Sequence, residues 1–494
     1  MENLTSPPQN QSAQNTQPPG ISPKKKHILS MFALAMLNIA AVMSLRGLPM
    51  MADSGMQMIF YLLFASIFFL IPCSLISAEL ATGWPQSGGV YRWVKEAFGS
   101  RWGFVAIWLQ WIQNVIWYPT VLAFAAAALA YLFKAPNLAN NNLYTALVIL
   151  TAYWTATLIT FSGLKVAGSV TMAGVILGTI LPGFLIIGLG LTWVLTGHPI
   201  AFMQGPGPMH FLPNFSHFSN VAFLASIVLL FAGMEVGAVH VRELKNPKVD
   251  YPRAILLATI IILVVFVLGS LSVAAVLPST SISLTAGIMQ AFNKMLMAYH
   301  LQWLLPLLGL LIAFGALGGV LAWISGPSKG LLATAKNGEI PPFLAHTNKR
   351  GIQTHILLIQ GVIVTVLTSL YLIMDNISNA FFLLSAMTVT LYLVMYLLLF
   401  AAGIRLRYSQ PNVPRTYKIP GGNFGMWLVA GVGILAVFFA LCIGFVPPAK
   451  LQIGTPALYV GLVVGGLIIF VGAPIVIHAC KKPSWLEHPD VTQE

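Results

Sequence analysis

The stretch AVMSLRGLPMMADSG, residues 41–55, interrupts the first long apolar segment of the chain with an arginine, a glycine and a proline. Arg46 lies where a membrane helix is normally most apolar, and a charge at that depth costs about 2.5–3.5 kcal/mol on insertion scales. Glycine and proline both weaken the interior of a helix. The stretch therefore predicts a break in the first membrane helix, with a cation placed at the break.

The composition indicates a membrane protein. Of the 494 residues, 57% are hydrophobic and only 7% are charged, whereas soluble domains carry about 25% charged residues. Apolar runs of roughly 18 or more residues recur along the chain and indicate transmembrane helices. The predicted fold class is an all-α polytopic membrane protein with twelve transmembrane helices. These spans 1 to 12 cover residues 28–52, 56–81, 102–133, 143–161, 166–196, 219–241, 253–277, 302–328, 353–374, 379–404, 424–446 and 455–479.

The remaining segments are short. Residues 1–23 are rich in Gln, Asn, Pro and Ser and predict a disordered cytoplasmic tail. Residues 24–480 form one twelve-helix domain, and residues 481–494 form a second short cytoplasmic tail. Three lysines at 24–26 precede a long interrupted span, so a cleavable signal peptide is not expected.

Basic residues give the orientation. With a cytoplasmic N-terminus, every Lys and Arg lies on the cytoplasmic side except Arg46, Lys134, Lys294 and Lys450. This asymmetry follows the positive-inside rule. It predicts a multi-pass protein of a bacterial inner membrane, with both termini in the cytoplasm.

Acidic residues within the spans point to particular places. Glu79 lies near the cytoplasmic end of span 2, where contact with the membrane interface costs little. Glu235 lies inside span 6, in FAGMEVGAVH at residues 231–240. An acidic side chain at that depth usually marks a pathway or a buried pair.

Spans 1 and 6 carry interruptions at corresponding positions, around residues 43–47 and 233–237. Paired broken helices indicate a transporter binding site. The freed N–H groups at one half-helix suit a carboxylate, and the freed carbonyls at the other suit an ammonium group. Together they would bind a zwitterion such as an amino acid. Alternatively, Gly233 and Gly237 form a helix-packing face, which leaves Glu235 between them unexplained.

Four local motifs, in this order along the chain, are similar to those of the amino acid–polyamine–organocation superfamily of transporters. Within it the chain most resembles the bacterial glutamate/GABA antiporter family, over nearly all of residues 28–480. The motifs are PQSGGVYRWVKEAFGSRWGF (85–104), FAGMEVGAVHVRELKNPKVDYPRAI (231–255), WISGPSKGLLATAKNGEIPP (323–342) and RTYKIPGG (415–422).

The resemblance implies an inverted five-plus-five repeat, the LeuT-like fold, with discontinuous helices 1 and 6. The first repeat would cover residues 28–196, the second 219–404, and helices 11 and 12 residues 424–480. It also implies positions for the substrate site: Val42, Met43 and Ser44 for the carboxylate, Phe231, Ala232 and Gly233 for the amino group, the acidic Glu235, and the path-lining aromatics Trp323, Tyr392 and Tyr396. Ordinary packing is the alternative for the three aromatics.

The chain also departs from the family pattern. The helix 1 break is bulkier than the usual glycine-rich one. Arg46 replaces an expected aromatic or small residue, and Gly319 replaces an acidic residue common in helix 8. Arg46 is expected either to pair with Glu235 or to bind an anionic substrate side chain.

The resulting hypothesis is a secondary active transporter that moves amino acids by alternating access, as an antiporter for glutamate-like or neutral substrates such as glutamate and GABA. The alternatives are a proton-coupled permease, a transporter of cationic amino acids or polyamines, and a non-transporting amino acid sensor. Expected partners are an amino acid and the lipid bilayer, without nucleic acid, and the chain would act as a monomer or homodimer. No enzymatic activity, metal or cofactor is expected, since no nucleophile–base set, metal cluster or P-loop occurs.

Overall fold

The computed structural model describes residues 30–85, 88–204, 211–213, 223–238, 244–447 and 455–485. Within these ranges, ten helices are long and apolar enough to cross a membrane, and they coincide with spans 2 to 5 and 7 to 12. The tail at 1–23 and most of the tail at 481–494 lie outside the described residues. The ten helices are Gln57–Gly83, Ser100–Leu132, Asn142–Phe161, Val166–Leu195, Pro247–Val276, Gln302–Lys336, Thr354–Ile373, Ile377–Ser409, Gly422–Gly444 and Pro456–Ala479.

Span 1 is broken, as the sequence predicted. Its first half, Met31–Val42, ends where Met43 and Ser44 become extended, with ψ angles of 116° and 127°. A 3₁₀ turn at Leu45–Gly47 then leads into the short helix Leu48–Ala52. Discontinuous span 1 is therefore confirmed.

Span 6 is also broken, but earlier than residues 233–237. The helices Phe223–Leu230 and Met234–Ala238 are separated by a turn at residues 231–233. Gly233 has a φ of +117°, which favours glycine and ends the first half. The predicted break was therefore misplaced, because Gly237 lies within the second helix. The other residues of 219–241 lie outside the described ranges, and the count of twelve spans stays a prediction.

Two further helices lie between predicted spans, in segments where the sequence predicted no helix. Val90–Phe98 lies between spans 2 and 3, and Gly287–Ala298 lies between spans 7 and 8. Each buries one face, so the search for continuous apolar runs missed them. The helix Val90–Phe98 forms the middle of the motif at residues 85–104.

Burial shows which spans form the centre of the bundle. The most apolar windows of spans 3 and 10 are 83% and 78% buried, whereas that of span 12 is only 17% buried. Spans 3 and 10 therefore lie in the interior of the bundle, and span 12 is peripheral.

Glu79 lies near the end of the helix Gln57–Gly83, but its side chain is enclosed by protein and does not contact the interface as expected. Its side chain is buried and accepts hydrogen bonds from Arg407 at 2.5 and 2.6 Å and from Arg415 at 3.3 Å. The main-chain N–H of Ile419 adds a bond of 2.8 Å. Because Arg415 and Ile419 belong to RTYKIPGG, that motif joins span 2 to span 10.

Glu339, which follows span 8, connects the start of span 3 with the end of span 12. Its carboxylate accepts hydrogen bonds from the Ser100 hydroxyl and, at 3.0 Å, from Lys481. Burial alone would raise the pKa of this carboxyl, but these bonds and the charges of Lys481 and His478 together hold it below the ordinary value. A carboxyl with a lowered folded-state pKa contributes stability above its unfolded pKa, and this contribution is lost as pH falls through the folded value.

Glu79→Gln is expected to destabilise the protein by about 3–5 kcal/mol, because two buried guanidinium groups lose their carboxylate. Thermal unfolding of the detergent-solubilised protein measures the effect. The matched control is Glu96→Gln, whose partner Arg92 lies 2.6 Å away and is 33% exposed. Arg92 and Glu96 are 33% and 23% exposed, so solvent screens this pair more than the Glu79 cluster, and its contribution is expected near the roughly 0–1 kcal/mol of surface pairs. Equal melting temperatures for the two variants would contradict this account of Glu79.

Candidate functional site

A cavity lies between the two breaks. Residues 41–46 of span 1 form one side, and Leu229, Leu230 and Ala232 of span 6 contribute the other. Its volume is about 80 Å³, several times the roughly 10–15 Å³ that one water molecule needs. We call it the central cavity. Residues of both interrupted helices therefore line the same cavity.

The span 1 side presents free N–H groups. Within the described ranges, the N–H groups of Ser44, Leu45 and Arg46 have no main-chain acceptor, and only the N–H of Gly47 turns back, to the Ser44 carbonyl at 3.4 Å. These residues begin the second half of span 1, where the helix dipole is positive. This edge of the cavity is therefore suited to an anion.

The span 6 side presents carbonyl oxygens. The N–H groups of Phe231 and Ala232 donate back to Val228 and Leu229 at 3.1 Å. In the part of the chain that the structure describes, the carbonyls of Phe231 and Ala232 receive no main-chain N–H in return. Ala232 lines the central cavity. The turn therefore supplies acceptors that suit an ammonium group.

Trp323 covers the break in span 6. A Cβ on Gly233 would lie 2.9 Å from Cζ2 of the indole, so only glycine leaves room for this ring. The indole also meets Trp117 edge-to-face, with 6.3 Å between ring centroids. Both tryptophans line the central cavity, and they give it an aromatic wall beside the exposed main chain.

Glu235 lies behind the cavity wall. It is 1% exposed, and its carboxyl accepts hydrogen bonds from Gln110 at 3.1 Å, from Tyr396 at 2.7 Å and from Tyr392. The Tyr396 hydroxyl also accepts the N–H of Gly233 at 3.0 Å. Glu235 thus braces the break through neutral donors.

Arg46 does not pair with Glu235. Its Nη1 donates to Thr120 Oγ1 at 3.0 Å and to Ser385 Oγ at 3.4 Å. The guanidinium also lies 5.4 Å from the Phe381 ring centroid. No carboxylate in the described part of the chain forms an ion pair with it. The pairing of Arg46 with Glu235, one of the two alternatives that the sequence left open, is therefore absent from the structure.

Comparison with known families decides the identification. The sequence model of a family described as Amino acid permease matches residues 29–469. The chain belongs to the amino acid permease family.

Two relatives extend this result. The permease is 43% identical over 449 residues to an uncharacterized transporter of Legionella pneumophila, covering 91% of this chain and 96% of the relative. It is 34% identical over 456 residues to a glutamate/gamma-aminobutyrate antiporter of Lactococcus lactis, covering 91% of this chain and 90% of the relative.

A solved structure agrees with the fold. The crystal structure of MhsT in complex with L-phenylalanine matches the permease with a TM-score of 0.55 and 13% sequence identity, over 85% of this chain and all of that chain. With the two discontinuous helices, it shows that the permease has a LeuT-like fold.

The structure divides the eleven predicted site residues into two groups. The central cavity brings together Val42, Met43, Ser44, Arg46, Ala232, Trp323 and Tyr392. The other four lie outside its wall. They are Phe231, Gly233, Glu235 and Tyr396.

Sequence reasoning missed the polar face of span 3. Gln113 and Asn114 line the cavity, and their side-chain N–H groups donate to the Gln110 carbonyl at 3.1 and 2.8 Å. The amide oxygens remain as acceptors. Three amides at positions 110, 113 and 114 of an apolar helix form one polar face and were a detectable signal.

Three glycines set the shape of the cavity. A Cβ on Gly315 would lie 2.5 Å from the main chain of Gly178, so spans 5 and 8 touch there through their backbones. A Cβ on Gly319 would meet nothing within 4 Å, although Gly319 also lines the cavity. Gly319 is therefore the position at which a side chain would enter open space.

Gly319→Leu is expected to abolish transport while leaving the folded protein intact, because its side chain fills the cavity without displacing main chain. Gly315→Ala is the matched control, and it should lower the melting temperature, since overpacking costs about 1–3 kcal/mol. Size-exclusion profiles, melting curves and amino acid uptake into proteoliposomes measure both. Wild-type uptake by folded Gly319→Leu protein would show that the cavity is not on the path.

Proposed function

We propose that this permease exchanges amino acids across a bacterial inner membrane by alternating access, with both termini in the cytoplasm. The supporting observation is the central cavity, which has free N–H groups on the span 1 side and free carbonyls on the span 6 side. Glutamate and GABA are the proposed cargo, in line with the names of the antiporters of 34% identity.

The two breaks divide the zwitterion between them. The α-carboxylate lies against the N–H groups of Ser44, Leu45 and Arg46, and the ammonium lies against the carbonyl of Ala232. Amide oxygens of Gln113 and Asn114 supply further acceptors. Each charged group of the substrate thereby replaces the water that it loses on entering the cavity.

The aromatic wall closes the site. Trp323 and Trp117 pack beside the breaks and exclude water, which strengthens the hydrogen bonds to the substrate. Because spans 1 and 6 are each interrupted at the cavity, their halves can tilt separately and open it to one side at a time. The chain acts as a monomer or as a homodimer in this scheme.

Counterflow tests the proposal. Purified protein is reconstituted in liposomes loaded with unlabelled glutamate, and uptake of labelled GABA is measured, with empty liposomes and protein-free liposomes as controls. Loaded vesicles are expected to take up GABA faster than empty ones, because exchange requires internal substrate. Equal uptake by loaded and empty vesicles would contradict exchange, and no uptake of any of the twenty amino acids or GABA would contradict transport.

A further inference from the structure

We propose that Arg46 binds the carboxylate at the far end of the substrate chain, the group that glutamate and GABA share. This inference rests on the proposed function and deepens it by naming the substrate class, amino acids with an ω-carboxylate.

The first argument is the unmatched charge of Arg46. Its side chain is 94% buried, being 6% exposed. The two oxygens that accept from Nη1 are neutral hydroxyls, and Nε has no hydrogen-bond partner among the described residues. A buried guanidinium in this state lacks a counter-anion. A substrate carboxylate would supply one.

The second argument is location. Arg46 lines both the central cavity and a smaller pocket of about 10 Å³. The smaller pocket also includes the hydroxyl-bearing residues Ser226 and Ser385. Arg46 therefore borders both spaces, and its Nη1 lies beside Ser385 of the smaller pocket, where an oxygen anion can accept from several donors at once.

The third argument is the chemistry of the two proposed cargoes. Loss of the α-carboxyl group from glutamate gives GABA, so both molecules keep the amino group and the side-chain carboxylate. The main-chain N–H groups of residues 44–46 are then filled by glutamate alone. The guanidinium of Arg46 is one side-chain length away from these N–H groups. At that position it can bind the carboxylate that glutamate and GABA share.

Substitution of Arg46 gives the test. Arg46→Gln removes the charge, and Arg46→Lys keeps it. The apparent affinity of Arg46→Gln for glutamate and GABA, measured by competition in counterflow, is expected to fall about 10- to 100-fold, the usual effect of losing a hydrogen bond to a charged group. Glutamine, whose side chain ends in an amide, should compete with the variant as well as with the wild type. Arg46→Lys should retain part of the preference for glutamate over glutamine.

The outcomes separate this inference from the proposed function. Wild-type affinity of folded Arg46→Gln for glutamate and GABA would overturn the role of Arg46 and leave exchange intact. Absence of wild-type counterflow would overturn the proposed function itself. If Arg46→Gln does not fold, competition in counterflow with the wild type gives the test. Equal competition by glutamine and glutamate would then overturn the inference.

A free inorganic anion is the other source of negative charge for Arg46. Exchange of glutamate by the wild type in gluconate buffer, without chloride, is expected to match exchange in chloride. A chloride requirement would assign the guanidinium to that ion and overturn the inference.

Discussion

The hydroxyl of Tyr396 holds the break in span 6 in place. It accepts the N–H of Gly233 at 3.0 Å and donates to the Glu235 carboxyl at 2.7 Å. A main-chain group left unpaired in the hydrocarbon costs several kcal/mol, so a broken membrane helix persists only where such partners exist. With Tyr392 and Gln110 completing the contacts of Glu235, this network leaves the carbonyls of the turn free for the cavity.

Charge is distributed unevenly between the two breaks. Glu235 is surrounded by neutral donors behind the wall, and among the described residues Arg46 donates to the neutral hydroxyls of Thr120 and Ser385. By contrast, Glu79 of span 2 forms ion pairs with both Arg407 and Arg415. The charge of Glu79 is thus balanced by arginines of the same chain, whereas the cation Arg46 remains at the cavity. An anionic cargo is the natural complement, since a lone buried charge is strongly unfavourable.

The sequence was sufficient for the ten long apolar helices, for the break in span 1 and for the existence, though not the position, of the break in span 6, because length, hydropathy and intramembrane Gly, Pro, Arg and Glu are local signals. It was insufficient where folding joins distant segments. The partners of Glu79 lie more than 300 residues away in the chain, so the sequence did not show that they enclose its side chain. The placement of Glu235 behind Tyr392 likewise depends on the packing of span 10 against span 6. The same holds for Gln113 and Asn114, which join the site only because span 3 is central.

The central claim is that the substrate lies between the two breaks with its far carboxylate on Arg46. A structure of the permease with bound glutamate tests it most directly. We expect one carboxylate within hydrogen-bond distance of the N–H groups of Ser44 and Leu45, the other on the Arg46 guanidinium, and the ammonium at the carbonyl of Ala232. Glutamate bound elsewhere, or an Arg46 side chain paired with Glu235 in that complex, would contradict the account.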